Sequence, residues 1–206
     1  MGNFIRLLSL SFVFILSACA SNNTENSAPP QRSAAERPNM NSADPNSTYD
    51  KENVINAASE FFGEGSEAVA SVIEKAFADL GRPNGYIIGT EASAALIVGA
   101  RYGDGVLSHK IEGDTKVYWK GPSIGIDVGA NGSRVFALVY NLNDTQELYQ
   151  RFPAVEGSLY YVAGVGMNYQ QVDEIVIAPI RMGVGLRAGV NLGYLHFTKE
   201  RSWNPF

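Results

Sequence analysis

Five arginines, Arg101, Arg134, Arg151, Arg181 and Arg187, sit inside or beside apolar stretches rather than in polar loops. A guanidinium is costly to bury unpaired, so each must reach water, pair with a carboxylate or hold an anion. Asp127 is the internal partner expected for Arg134, across a hairpin turn at Asn131-Gly132. Along residues 186–194 one face carries Leu186, Ala188, Val190, Leu192 and Tyr194, and the other carries Arg187, Gly189, Asn191 and Gly193. Glycines beside isolated polar residues on a strand mark sharp curvature or the close approach of a backbone or ligand. One reading is a solvated face on a small bent barrel, with its arginines salt-bridged. The sharper reading is a polar, basic pocket whose candidate ligand-binding residues are Arg101, Asp127, Arg134, Arg181, Arg187 and Asn191. Converging guanidiniums of this kind suit a phosphate, a carboxylate or an acidic sugar through paired hydrogen bonds.

Catalytic patterns are sparse beside this. His109 and His196 are the only histidines, and neither has a cysteine or histidine at metal-ligand spacing. There is no G-x-S-x-G elbow. The glycine-rich run 121–132 lacks the strand-loop-helix context and the Lys-Ser/Thr of a phosphate loop. Asp127 and Glu156 are acids available for sugar chemistry, but residue type alone supports the pairing. We therefore expect a non-catalytic protein with no metal and no cofactor. An enzyme acting on envelope glycans and an integral outer-membrane barrel are the alternatives.

The elements that must hold these residues are mainly β. Val54, Ile55, Ala58, Phe61 and Phe62 fall at helical spacing up to Gly63. A second apolar stripe, Val69, Val72, Ile73, Ala76, Phe77 and Leu80, follows Ser66 and stops at Gly81 and Pro83. Beyond Asn84 the chain reads as short strands over 86–102, 106–112, 116–119, 123–128 and 134–140, with Asp104-Gly105 and Asn131-Gly132 as turns. A short helix over 144–152, capped by Asp144, precedes strands over 159–169, 174–179 and 183–198. Without alternating strand-helix units, the expected fold is a small antiparallel β-barrel preceded by two N-terminal helices. Residues 50–84 carry a net charge of −4 and residues 85–206 a net charge of −1, within a total of −5. Neither segment offers the positive field of a nucleic-acid binder.

The N-terminus reads as an export signal over residues 1–18. It has a positive charge at Arg6, an apolar run over 7–16 too short to remain as a membrane span, and small residues before Cys19. Leu16-Ser17-Ala18-Cys19 reads as a lipobox. Cys19 is the only cysteine, which excludes an intramolecular disulfide. Ordinary cleavage after Ala20 is the competing reading. Residues 19–49 are then a lipidated cysteine and a polar tether, too poor in large apolar residues to pack. Ala20 in place of an aspartate favours the outer membrane over inner-membrane retention, with soluble periplasmic residence the alternative. The expected partners are the membrane, through the anchor, and an anionic glycan, lipid or envelope protein.

Several motifs resemble the envelope integrity protein A family. They include Gly81-Arg82-Pro83-Asn84-Gly85-Tyr86, Arg101-Tyr102-Gly103, Val117-Tyr118-Trp119-Lys120-Gly121-Pro122-Ser123-Ile124-Gly125, Arg151-Phe152-Pro153-Ala154-Val155-Glu156-Gly157-Ser158 and Trp203-Asn204-Pro205-Phe206. The likeness covers about residues 53–206. It implies a small periplasmic antiparallel β-barrel with a hydrophilic, basic pocket, a part in envelope maintenance and stress resistance, and no known catalytic activity. The family includes proteins with ordinary cleavable signals. Replacing Cys19 with Ser should therefore move the protein from the membrane to the soluble periplasmic fraction. Unchanged membrane fractionation of Cys19→Ser would rule out the lipid anchor.

Overall fold

Local capping and apolar spacing set the two helices. Helix α1 (Lys51–Phe62) begins where the Asp50 carboxylate accepts the Asn53 backbone N–H at 2.9 Å, and it ends at Gly63 with φ 75°. Helix α2 (Ser66–Leu80) stops at Gly81, with φ 78°. Glycine adopts this left-handed conformation without the Cβ penalty other residues meet. The computed structural model describes residues 44–63, 66–182, 193–202 and 204, with backbone only at 66, 94–98 and 123–132. Residues just before α1 pack on the domain. Thr48 is buried and accepts a hydrogen bond from Arg82 Nε at 3.0 Å, and Tyr49 meets the Tyr86 ring edge-on at 5.0 Å.

The strands form one antiparallel sheet. Its members are β1 (Gly85–His109), β2 (Gly113–Tyr140), β3 (Arg151–Pro153), β4 (Tyr160–Val162), β5 (Val165–Met167), β6 (Gln170–Val172), β7 (Ile175–Met182) and β8 (Tyr194–Thr198). Among the described residues the order is β3-β8-β2-β7-β5-β4, with β1 beside β2 and β6 beside β7. The sheet curls into a half-barrel. Val54, Ala58, Val69, Val72, Ile73 and Ala76 of the helices pack on its outer face against Phe136, Leu138, Tyr140, Ala178 and Ile180. Its inner face buries Ile87, Leu107, Val117, Trp119, Val135, Phe152 and Phe197.

Two long strands replace the five short ones expected after Asn84. Asp104-Gly105 is not a turn; it lies within β1, opposite Tyr118 and Val117. Asn131-Gly132 is not a hairpin either. Glu91 faces Ser133 and Ser93 faces Gly129, so Ala92 alone stands opposite residues 130–132 and the turn-prone dipeptide forms a bulge. The chain reverses instead between His109 and Gly113. His109 braces that reversal, its Nε2–H donating to the Leu142 carbonyl at 2.8 Å while Nδ1 accepts the Glu112 N–H at 3.1 Å.

The expected helix over 144–152 shortens to a 3-10 turn, Thr145–Leu148, because Arg151 and Phe152 are taken into β3 alongside His196 and Leu195. Its cap is as expected, with Asp144 accepting the Gln146 N–H at 2.8 Å. The stretch over 159–169 divides at Ala163-Gly164, both at positive φ, which gives the primed turn that suits a two-residue hairpin.

Glycines decide how tightly β1 and β2 curl. A Cβ on Gly89 would lie 2.3 Å from the Asp104 carbonyl oxygen, and one on Gly105 would lie 2.4 Å from that of Ile88. The strand therefore crosses over itself at a contact only glycine allows. At Gly103 a Cβ would meet the Trp119 ring at 2.1 Å. Gly103→Ala should force the buried indole aside, costing about 1–3 kcal/mol and lowering the midpoint of thermal unfolding by several degrees. An unchanged midpoint and tryptophan emission would contradict this packing.

Candidate functional site

An extended strand advances about 3.3 Å per residue, so Glu91 and Arg101 would stand some 33 Å apart on a straight β1. The curl brings Arg101 Nη1 to 3.9 Å from Glu91 Oε1. Arg181 reaches the same carboxylate from β7, with Nε at 3.1 Å from Oε1 and Nη2 at 3.2 Å from Oε2. The Trp119 indole N–H donates to Oε2 at 2.8 Å from β2. Strand alternation explains the meeting. Ile87, Gly89 and Glu91 share the inner face of β1, and Arg181 stands opposite Val135, an inner-face residue. Arg101 also donates through Nε to the Pro122 carbonyl at 3.0 Å.

The cluster is buried: Glu91 is 6% exposed and Arg101 is 8% exposed. Burial by itself pushes the Glu91 carboxyl pKa up. The two guanidiniums, with hydrogen bonds from Arg181 and Trp119, outweigh that and hold it down at about 2. Trp119 joins this charged group to the apolar interior, where it lines a cavity of about 10 Å³ with Ile87, Val135, Pro179 and Phe197. That space is at the limit for one water molecule and lacks the polar partners a water needs.

Of the residues singled out from the sequence, Arg101 and Arg181 meet. Arg134 does not join them. It is on the outer face, donating to the carbonyls of Phe61 and Phe62 at 2.9 and 3.2 Å with its guanidinium over the Phe61 ring. There it satisfies the open carbonyls at the end of α1. No hairpin sets Asp127 across from Arg134, since Asp127 stands opposite Ala95 and Arg134 opposite Thr90 in the strand register. The Asp127 side chain, and all of Arg187, Asn191 and Cys19, lie outside the described residues. Glu156 is exposed. Among the described residues no three His, Cys, Asp or Glu side chains gather as a metal site.

Glu91, the centre of the cluster, was not among the candidates. Its signal was available: a lone carboxylate at an inner position of the apolar run Ile87-Ile88-Gly89-Thr90-Glu91 demands a cation as strongly as a buried arginine demands an anion.

A family model for envelope integrity protein A matches residues 47–206. The chain belongs to that family. It is also similar to a crystal structure of a protein from Brucella abortus described as beta-barrel-like and uncharacterized, at 51% sequence identity and a TM-score of 0.71. The similarity covers 77% of this chain and 99% of that one. Among curated proteins no match is found.

The cluster makes stability depend on acid. Because the folded carboxyl titrates below the usual glutamate value of about 4.3, its contribution is complete above that value. It is lost as pH falls through about 2. Between pH 5 and pH 2 this carboxyl alone should remove about 3 kcal/mol of unfolding free energy. Denaturant titrations of Glu91→Gln should show a protein already weakened by about 3–5 kcal/mol at pH 7, with a flatter decline in acid. Parallel pH profiles for the two proteins would contradict this assignment.

Proposed function

We propose that this protein is a non-catalytic component of the bacterial envelope, held in the periplasm by a lipid on Cys19, that preserves envelope integrity by binding an anionic envelope component or partner. Membership of the envelope integrity protein A family supports the envelope role. The convergence of Arg101 and Arg181 on the inner face, beside an apolar interior, carries the binding reading. Two guanidiniums held around one carboxylate keep a basic centre ordered before a ligand arrives, so little entropy is lost on binding. An incoming phosphate, carboxylate or acidic sugar would share the guanidinium donors with Glu91.

Glu91 is poorly suited to acid-base catalysis. A carboxyl held at about 2 is a weak base, and both its oxygens already accept hydrogen bonds. Helices α1 and α2 cover the β2-β7 part of the outer sheet face, which favours a domain in the aqueous periplasm over one embedded in lipid through that part. No helix among the described residues is long and apolar enough to cross a membrane.

The test is complementation of a deletion strain with the triple variant Glu91→Gln, Arg101→Met, Arg181→Met. It removes the charges while keeping an unbranched stem at each arginine position, a replacement that buried ion clusters often tolerate. The variant should accumulate as a folded, exported protein yet fail to restore resistance to detergent and cell-wall antibiotics. Full resistance would remove the cluster from the function.

A further inference from the structure

A second charged arrangement lies on the other side of the sheet. In the strand register Lys120 stands opposite His196, and His196 stands opposite Arg151. Residues opposed in this way share a face, with strands about 5 Å apart, so β2, β8 and β3 present the three side chains as one row. Their neighbours Trp119, Phe197, Leu195 and Phe152 fill the inner core, which places the row on the outer face. It is separate from the Glu91 cluster.

The row is basic and incompletely satisfied. Lys120 is 7% exposed, and its ammonium donates to Ser202 Oγ at 3.0 Å and to the Asn204 carbonyl at 2.7 Å, leaving one of its three donors. Arg151 is exposed and lies over the Tyr194 ring at 4.9 Å. Among the described residues none of the three pairs with a carboxylate. His196 Nδ1 is buried and has no hydrogen-bond partner among them. Burial, then the charges of Lys120 and Arg151, lower the His196 pKa, so the imidazole waits neutral between two cations. The surroundings add positive charge. Lys116 and Arg201 both lie over the ring of Tyr118, and the carboxylate at this edge, Asp104, is bound by Arg201 at 3.3 Å.

We propose that the Lys120, His196 and Arg151 row is a binding site for a phosphate group. The Arg151 fork can take two oxygens, and the imidazole and ammonium the others. A carboxylate has only two oxygens to offer such a row, whereas phosphate has enough acceptors to engage all three side chains. The phosphate can belong to a lipid headgroup or to a free anion, and the two are separable.

In proton NMR of the purified exported protein, His196 should titrate at higher pH in inorganic phosphate than in chloride of equal ionic strength. His196→Gln assigns the signal. Arg151→Gln, at an exposed position where folding is safe, should weaken phosphate binding about tenfold. Phosphatidylcholine vesicles with and without phosphatidic acid, whose phosphomonoester keeps three free oxygens, supply the second arm. Arg151-dependent binding confined to the anionic vesicles identifies a lipid phosphate, and a His196 response to inorganic phosphate alone identifies the free anion. An identical His196 titration in both salts, together with vesicle binding indifferent to Arg151→Gln, would overturn the site.

Discussion

The crossing of β1 over itself is the constraint on which the rest of the structure depends. A strand of this length cannot stay straight and also bury both its apolar ends in one small core. It curls until Gly89 lies against Asp104 and Gly105, a contact with no room for a side chain on either glycine. That crossing brings Glu91 to Arg101, places Gly103 under the Trp119 ring, and gives the sheet an inner and an outer face. The bulge opposite Ala92 belongs to the same solution, since extra residues on one strand sharpen the local bend.

The charged cluster then acts as a lock on that curl. Three distant segments, at Glu91 and Arg101 of β1, Trp119 of β2 and Arg181 of β7, must all be in register before the carboxylate is satisfied. Desolvation offsets much of the attraction in a buried ion group, so its net stabilisation is modest. Its larger effect is on alternatives. A slip of one residue in β7 would turn Arg181 toward the helices and leave Glu91 buried with less of its partner charge.

The two faces of the sheet consequently differ in character. Inside, paired charge adjoins apolar packing and a small dry cavity. Outside, α1 and α2 cover one part through Phe136, Leu138 and Ile180, with Arg134 closing the end of α1, while the β2-β8-β3 part presents Lys120, His196 and Arg151 with no carboxylate partner among the described residues.

Much of this was legible in the residues. The helices followed from their apolar stripes and glycine stops, Asp144 from its capping chemistry, and Arg101 and Arg181 from the cost of burying a guanidinium. Those are local properties or one-residue energies, which a linear sequence states directly. The single length of β1, the bulge at Asn131-Gly132, the role of Arg134 as a helix cap and the centrality of Glu91 were decided only in three dimensions. Turn propensity at Asn131-Gly132 is worth little against a long ladder of backbone hydrogen bonds. Glu91 finds its partners ten and ninety residues away because the chain curls. The sequence alone determined that buried charges needed partners; tertiary structure decided which ones, because pairing depends on register and curvature between distant strands.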